Sequence, residues 1–114
     1  MPFDALPESV VSDLVKLKIV LDRISDEKSW WAGKVGVKGT EKHCAVGWLL
    51  SACDWDEEAA TKLTLKYVYP SLPKRAQNPK RRIMSVSDYN DNHSHKAIVA
   101  VFEEAVRRAS DATG

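Results

Sequence analysis

The stretch from 40 to 53, TEKHCAVGWLLSAC, constrains this chain most. Read as a helix, it carries apolar residues on nearly every side: Cys44, Ala45, Val46, Trp48, Leu49, Leu50, Ala52 and Cys53. A surface helix shows one apolar stripe, whereas an apolar girdle belongs to a helix packed by neighbours all round. Thr40 is placed to cap it, because a threonine hydroxyl accepts from a backbone N–H two or three residues on. Glu41 then falls where the helix dipole favours a negative charge, and His43 and Cys44 sit in the first turn. Gly47 weakens a helix interior by about 1 kcal/mol relative to Ala, which close approach of another backbone would offset. Asp54 and the acidic run to 58, DWDEE, end this segment and open the next helix.

The neighbours that would bury such a helix are legible on either side. Residues 7–24 repeat Val10, Leu14, Leu17, Leu21 and Ile24 at alternating spacings of four and three, one apolar stripe. Pro7 suits the first helical position, and Val11 and Val15 widen the stripe. The pattern stops after about two heptads, too few for a sustained coiled coil, so docking on the central helix is the simpler reading. SDEKSWW, 25–31, predicts a short capped turn of helix. Residues 32–39, AGKVGVKG, predict a tight hairpin or an irregular loop. Their glycines lack the spacing before Gly-Lys-Ser/Thr that a phosphate loop needs.

Residues 56–69 predict another helix, packed through Ala60, Leu63, Tyr67 and Val68 and stopped by Pro70. Glu58 stands four residues before Lys62, a weakly favourable helical pair. Residues 70–82, PSLPKRAQNPKRR, read as a Pro-rich basic loop, and IMSVSDY, 83–89, as an extended approach. Ser94 caps a last helix, 95–109, whose apolar face is Ile98, Val101, Phe102, Ala105, Val106 and Ala109. Glu103 with Arg107 and Glu104 with Arg108 pair on its wet face, and the tail 110–114 frays.

The 114 residues point to one domain, 1–114, large enough to bury about two-thirds of its unfolded surface without a staple. The net charge is +1, from 17 basic and 16 acidic residues, so global charge makes no case for nucleic acid or membrane. No apolar run approaches the ~20 residues of a membrane span. MPFDALPESVV lacks the basic start and apolar core of a signal peptide. Two cysteines without a secretion signal suggest reduced thiols, and the expected setting is cytoplasmic.

Three residue groups could carry function. Cys44 at a helix start would have its thiolate favoured by the dipole, and a nearby imidazolium would lower its pKa further. His93 or His95 could then act as base and Asn90 or Asp91 as orienter, if the YNDNHSH turn folds over the central helix. Against this, free cysteine is among the most buried residue types and is usually inert there. Asn90 and Asp91 also have an ordinary reading as turn formers. Metal is the second idea: Cys44, Cys53, His43, His93 and His95 are ligand types. Cys-x8-Cys with His-x-His is not a zinc spacing, so neither metal nor cofactor is expected. The third is the basic loop, Lys74, Arg75, Lys80, Arg81 and Arg82, which could meet an acidic protein face or phosphates. Trp30, Trp31 and Tyr89 could stack bases, but the sequence places none of them beside that loop, and no recognised nucleic-acid module accompanies the charge.

The order of motifs resembles an uncharacterised bacterial and bacteriophage protein family, whose members carry a CALGAL-like helix and a WND…T…VLALF-like C-terminal segment. The counterparts here are Trp30 or Trp31 with Gly33, then Cys44, Ala45, Val46 and Gly47, then Tyr89, Asn90 and Asp91, then Ser94 leading into AIVAVFEEA. The family has no established activity, so the resemblance implies an architecture, a candidate surface and a phage or mobile-element setting. This chain shortens the segment between Asn-Asp and the last helix to Asn92 and His93.

The reading is therefore a mainly α, single small domain of about four main helices around a buried central helix, with short extended elements near 34–38 and 83–88. The leading function is a small soluble binding or regulatory module acting through a protein partner at the basic loop, more a binder than an enzyme. The alternative is a cysteine-dependent hydrolase, transferase or ligand-binding protein using Cys44 with the 90–95 turn. Accessory nucleic-acid contact through the basic loop comes third.

Overall fold

A computed structural model describes residues 8–32 and 43–113. Five α-helices account for most of them: α1 (Glu8–Ser25), α2 (Ala45–Ala52), α3 (Glu57–Leu63), α4 (Arg82–Asn92) and α5 (His95–Thr113). The fold is mainly α and forms a single small domain, as the periodicities imply. Among the described residues the only β pairing is an isolated parallel bridge between Trp30 and His43.

The α1 stripe does what its spacing requires. Leu17, Val20 and Ile24 are fully buried, with Leu14 and Leu21 packed against the core. Val15 is 51% exposed and so does not widen the stripe as expected. Helix α5 buries Ile98, Val101, Phe102, Ala105 and Ala109 on one face and packs against α1. Five such side chains, at about 1.5–3 kcal/mol for each large one, make this pair the backbone of the core.

Helix α2 is the central one, in contact with α1, α3 and α4. Ala45, Trp48 and Leu49 are buried around Gly47, while Val46, Leu50 and Ala52 pack partly covered against the core. It starts later than the sequence implies. The expected cap Thr40 and Glu41 lie outside the described residues, and Cys44 is the N-cap, with extended backbone. His43 precedes the helix because its backbone is engaged elsewhere. Its N–H donates to Ser29 O at 3.1 Å and its carbonyl accepts from Trp31 N at 3.0 Å.

Helix α2 ends without glycine. Asp54 (φ 56°) and Trp55 (φ 62°) both occupy the left-handed region, which costs a residue with a Cβ roughly 1–2 kcal/mol. The geometry closes the helix in return: Trp55 N donates to Leu50 O at 2.7 Å and Cys53 N to Leu49 O at 3.1 Å, the pattern of a left-handed helix stop. Asp56 then caps α3 by accepting from Ala59 N at 3.2 Å.

Beyond α3 the chain winds into a π-helical segment, Thr64–Val68, and a 3-10 turn, Tyr69–Ser71, that carries Pro70. The π-helical segment buries its inner side through Thr64, Tyr67 and Val68. The basic stretch is less irregular than expected, since Lys74–Ala76 forms a further 3-10 turn.

The largest correction falls on 83–89. The expected extended element is helix: Ile83 to Tyr89 lie within α4. Its buried residues are Ser85, Val86, Tyr89 and Asn90, at helical spacing. Asn90 and Asp91 are thus the last turn of a helix and not a loop. The extended element expected at 34–38 lies outside the described residues. Helix α5 also runs through the tail expected to fray, to Thr113. Two small expectations hold: Asp26 caps a 3-10 turn, Glu27–Ser29, and Ser94 Oγ accepts from Ala97 N at 3.2 Å.

Candidate functional site

Asn90 is the polar centre of the fold. It is fully buried, and its amide engages four groups. Oδ1 accepts from Trp30 Nε1 at 2.6 Å and from Ala45 N at 3.1 Å. Nδ2 donates to Trp31 O at 3.0 Å and to Asp91 Oδ1 at 3.1 Å. The first turn of a helix leaves backbone N–H groups without intrahelical partners. Cys44, the N-cap of α2, makes no side-chain capping bond, so Asn90 satisfies the Ala45 N–H from another helix.

His95 performs the opposite task at the end of α1. Its Nε2–H donates to Ile24 O, one of the last α1 carbonyls that have no intrahelical donor. Its ring also lies 5.3 Å from that of Trp30. His93 stacks on Tyr89 at 3.9 Å and directs Nδ1–H to the Tyr89 carbonyl at 3.1 Å. Of the 90–95 segment, Asn90 meets the start of the central helix and His95 the end of α1, so what the segment brings together is a set of helix-end contacts.

Cys44 differs from the expected activated thiolate. It is buried, and that burial pushes the thiol up. The N–H groups of Gly47 and Val46 oppose burial in part, and the Asp91 carboxylate adds a smaller push upward. Burial likewise pushes the Cys53 thiol up. The hydrogen bonds of His93 and His95 go to the Tyr89 and Ile24 carbonyls. His43, the third imidazole, is buried between indoles, 4.6 Å from Trp48 and 5.5 Å from Trp55, edge-on to both. Among the described residues no three His, Cys, Asp or Glu side chains gather as metal ligands.

The tryptophans mostly fill structure. Trp48 is buried, donates Nε1–H to Ser29 O at 2.6 Å, and has the Arg23 guanidinium 5.6 Å from its ring. Trp30 packs against the core.

The basic side chains Lys74, Arg75, Lys80, Arg81 and Arg82 are all exposed, and among the described residues none has an ion-pair partner. The acids pair elsewhere. Glu58 meets Lys62 at 3.2 Å as expected. On α5 it is Glu104 that takes both Arg107 and Arg108, with Asp111 on Arg107. Beside the free cations runs an open groove of about 410 Å³, where Leu65, Ile83 and Met84 adjoin Lys80, Arg81 and Arg82. Met84 is 44% exposed.

Sequence reasoning missed a second feature on the other side of Arg81. A cleft of about 220 Å³ is lined by Asn78, Arg81, Asp88, Tyr89, Asn92 and His93 among others. It exists because α4 is a helix, which puts 81, 85, 88 and 92 on one face. An extended 83–89 would have scattered them.

These features define a mainly helical small domain with a buried polar clamp and an unneutralised basic face. Comparison of the chain with protein-family models, curated proteins and solved structures yields no match. The resemblance drawn from the sequence thus rests on its short motifs alone. No described helix is long and apolar enough to cross a membrane.

Proposed function

We propose that this chain is a binding module that docks a protein partner on the face formed by residues 74–84. The partner segment is acidic and carries apolar side chains. The observation that carries this reading is the set of five exposed cations without ion pairs, three of which, Lys80, Arg81 and Arg82, line a groove with Leu65, Ile83 and an exposed Met84. Arginine and methionine are enriched where proteins meet, and lysine alone is not. A phosphate backbone would use the cations and leave the apolar side of the groove unused, so the mixture favours a protein. The burial of Cys44 and the structural engagement of His95 and Asn90 remove support from the cysteine-enzyme alternative.

The test is titration of the full chain with a fluorescein-labelled acidic peptide containing leucines, against a 20-base-pair duplex. Peptide binding should weaken at least tenfold in a Lys74→Glu, Lys80→Glu, Arg82→Glu variant and in Met84→Asp separately. Preference for the duplex, with log affinity falling steeply in log salt at about 0.9 for each phosphate contact, would replace the protein partner with nucleic acid. Indifference of both probes to the charge reversals would discard this face.

A further inference from the structure

The cleft on the α4 face offers a different chemistry from the groove beside it. Its floor is a stacked ring pair. The His93 ring lies 3.9 Å from the Tyr89 ring and is tilted 18° from it. A carbonyl only accepts, so the bond to Tyr89 O places a proton on His93 Nδ1 and fixes the ring plane. Tyr89 is buried and His93 exposed, which leaves the outer face of the imidazole open.

The polar groups around this platform are sorted by sign along the helix. Arg81 stands at one end, with Asn78. Asn78 Oδ1 is used by Lys80 N at 3.0 Å, so its amide N–H groups remain as donors. Asp88 and Asn92 stand at the other end. Asn92 Nδ2 is used by the Asp88 carbonyl at 2.9 Å, so its Oδ1 remains as an acceptor. Among the described residues neither the Arg81 guanidinium nor the Asp88 carboxylate has an ion-pair partner. Seven residues separate them, a backbone rise of about 10 Å at ~1.5 Å per helical residue, and they form no ion pair with each other.

A ligand that satisfies all of this is flat, presents adjacent N–H donors at one edge and carries an anion at the far end. The cleft, about 220 Å³, is smaller than the ~300–1,000 Å³ pockets that enclose whole drug-sized ligands. It therefore holds one ring system, with the rest lying across its open side. We propose that this cleft binds a guanosine 5′-monophosphate-type nucleotide. The base stacks on the outer face of His93. Its N1–H and N2–H donate to the Asp88 carboxylate, a two-pronged contact that adenine, with an acceptor at N1, does not match. The phosphate meets Arg81. This site goes beyond the partner-docking face and shares Ala76, Asn78 and Arg81 with it, so the docking variants above leave all three unchanged.

The test is calorimetric titration of the full chain with GMP, AMP, guanosine and inorganic phosphate, with amide chemical shifts locating the site. GMP should bind with one-to-one stoichiometry and shift residues 78–93. AMP and guanosine should each bind at least tenfold more weakly. Asp88→Asn should weaken GMP roughly 10- to 100-fold, the effect of losing a charged hydrogen-bond partner, and erase the preference over AMP. His93→Ala should weaken GMP and AMP alike by roughly 5- to 100-fold. Arg81→Ala should weaken GMP to the level of guanosine. All three residues are exposed, so unfolding midpoints that match the parent chain separate loss of binding from loss of fold. The proposal is overturned by no binding at millimolar GMP, by equal affinity for AMP, by inorganic phosphate binding as tightly as GMP, or by Asp88→Asn without effect. Because the probes are nucleotides, its failure leaves peptide docking untouched, and failure of docking leaves it untouched in turn.

Discussion

The side-chain oxygen of Asn90 accepts a hydrogen bond from the backbone N–H of Ala45, 45 residues away in the chain, at 3.1 Å. The same oxygen accepts from the Trp30 indole at 2.6 Å. One fully buried amide thus joins the end of α4, the start of α2 and the chain leaving the 3-10 turn after α1. A buried donor that loses its acceptor keeps its desolvation penalty, so this contact weighs more than its single distance suggests.

Asn90→Ala leaves the Ala45 N–H and the Trp30 Nε1–H without their acceptor. A loss of about 1–3 kcal/mol for each is expected, read as a lower urea midpoint with an unchanged slope. Asn90→Asp keeps the acceptor but sets a buried carboxylate beside Asp91. A like neighbour and burial both favour its protonated form, so its stability should fall as pH rises from 4 to 7. A variant as stable as the parent at both pH values would show that the amide is not a keystone.

The two histidines before and at the start of α5 should separate. His95 closes the end of α1 through Ile24 O and is half-buried against Trp30. His95→Ala is expected to destabilise by about 1–2 kcal/mol. His93 is exposed on a single stacked partner, and His93→Ala should cost less than about 1 kcal/mol. Equal effects in denaturant titrations would mean that the α1 closure contributes nothing.

Cys44 should behave as packing and not as a nucleophile. In a Cys53→Ala background its alkylation is expected to wait for unfolding, and a rapid native-state reaction near neutral pH would count against burial. The folded state holds the thiol proton more tightly than the unfolded chain, since burial raises both cysteines. Their contribution to stability is therefore complete below the ordinary thiol value of about 8.5 and is lost as pH rises through the higher folded value. Thermal midpoints should fall above about pH 8.5, and less steeply in Cys44→Ala than in the parent chain.

Asp54 is exposed with φ at 56°, a conformation glycine adopts without strain. Asp54→Gly is expected to be neutral or to stabilise by up to about 1 kcal/mol. Asp54→Val, with a branched Cβ in the same conformation, should destabilise by at least about 1 kcal/mol. If the two variants melt together, the left-handed helix stop is not under strain.

Helices α1, α3 and α5 could be read from the chain because each carries its own signal: an apolar stripe at helical period, capping residues, and turn chemistry at its ends. The buried faces that resulted, Leu17, Val20 and Ile24 or Ile98, Phe102 and Ala105, follow from transferring apolar area out of water. That drive depends on composition and spacing and not on any particular partner. Helix α4 hid for the complementary reason. Two of its four buried residues, Ser85 and Asn90, are polar, which breaks the apolar period and makes the segment look extended. Nothing local shows that Asn90 is buried, because the groups that satisfy it come from Trp30, Trp31 and Ala45.

The late start of α2 has the same origin, since a bridge to residues 29–31 withholds His43 from the helix. The sequence by itself determined the helical class, the central apolar helix and the existence of a basic segment, because these rest on periodicity and charge. Only the tertiary structure decided that the Asn-His turn clamps helix ends, that Cys44 is buried, and that Asn78, Arg81, Asp88, Tyr89, Asn92 and His93 share one cleft. Hydrogen-bond partners, burial and convergence of side chains are properties of pairs distant in sequence, and no single segment records them.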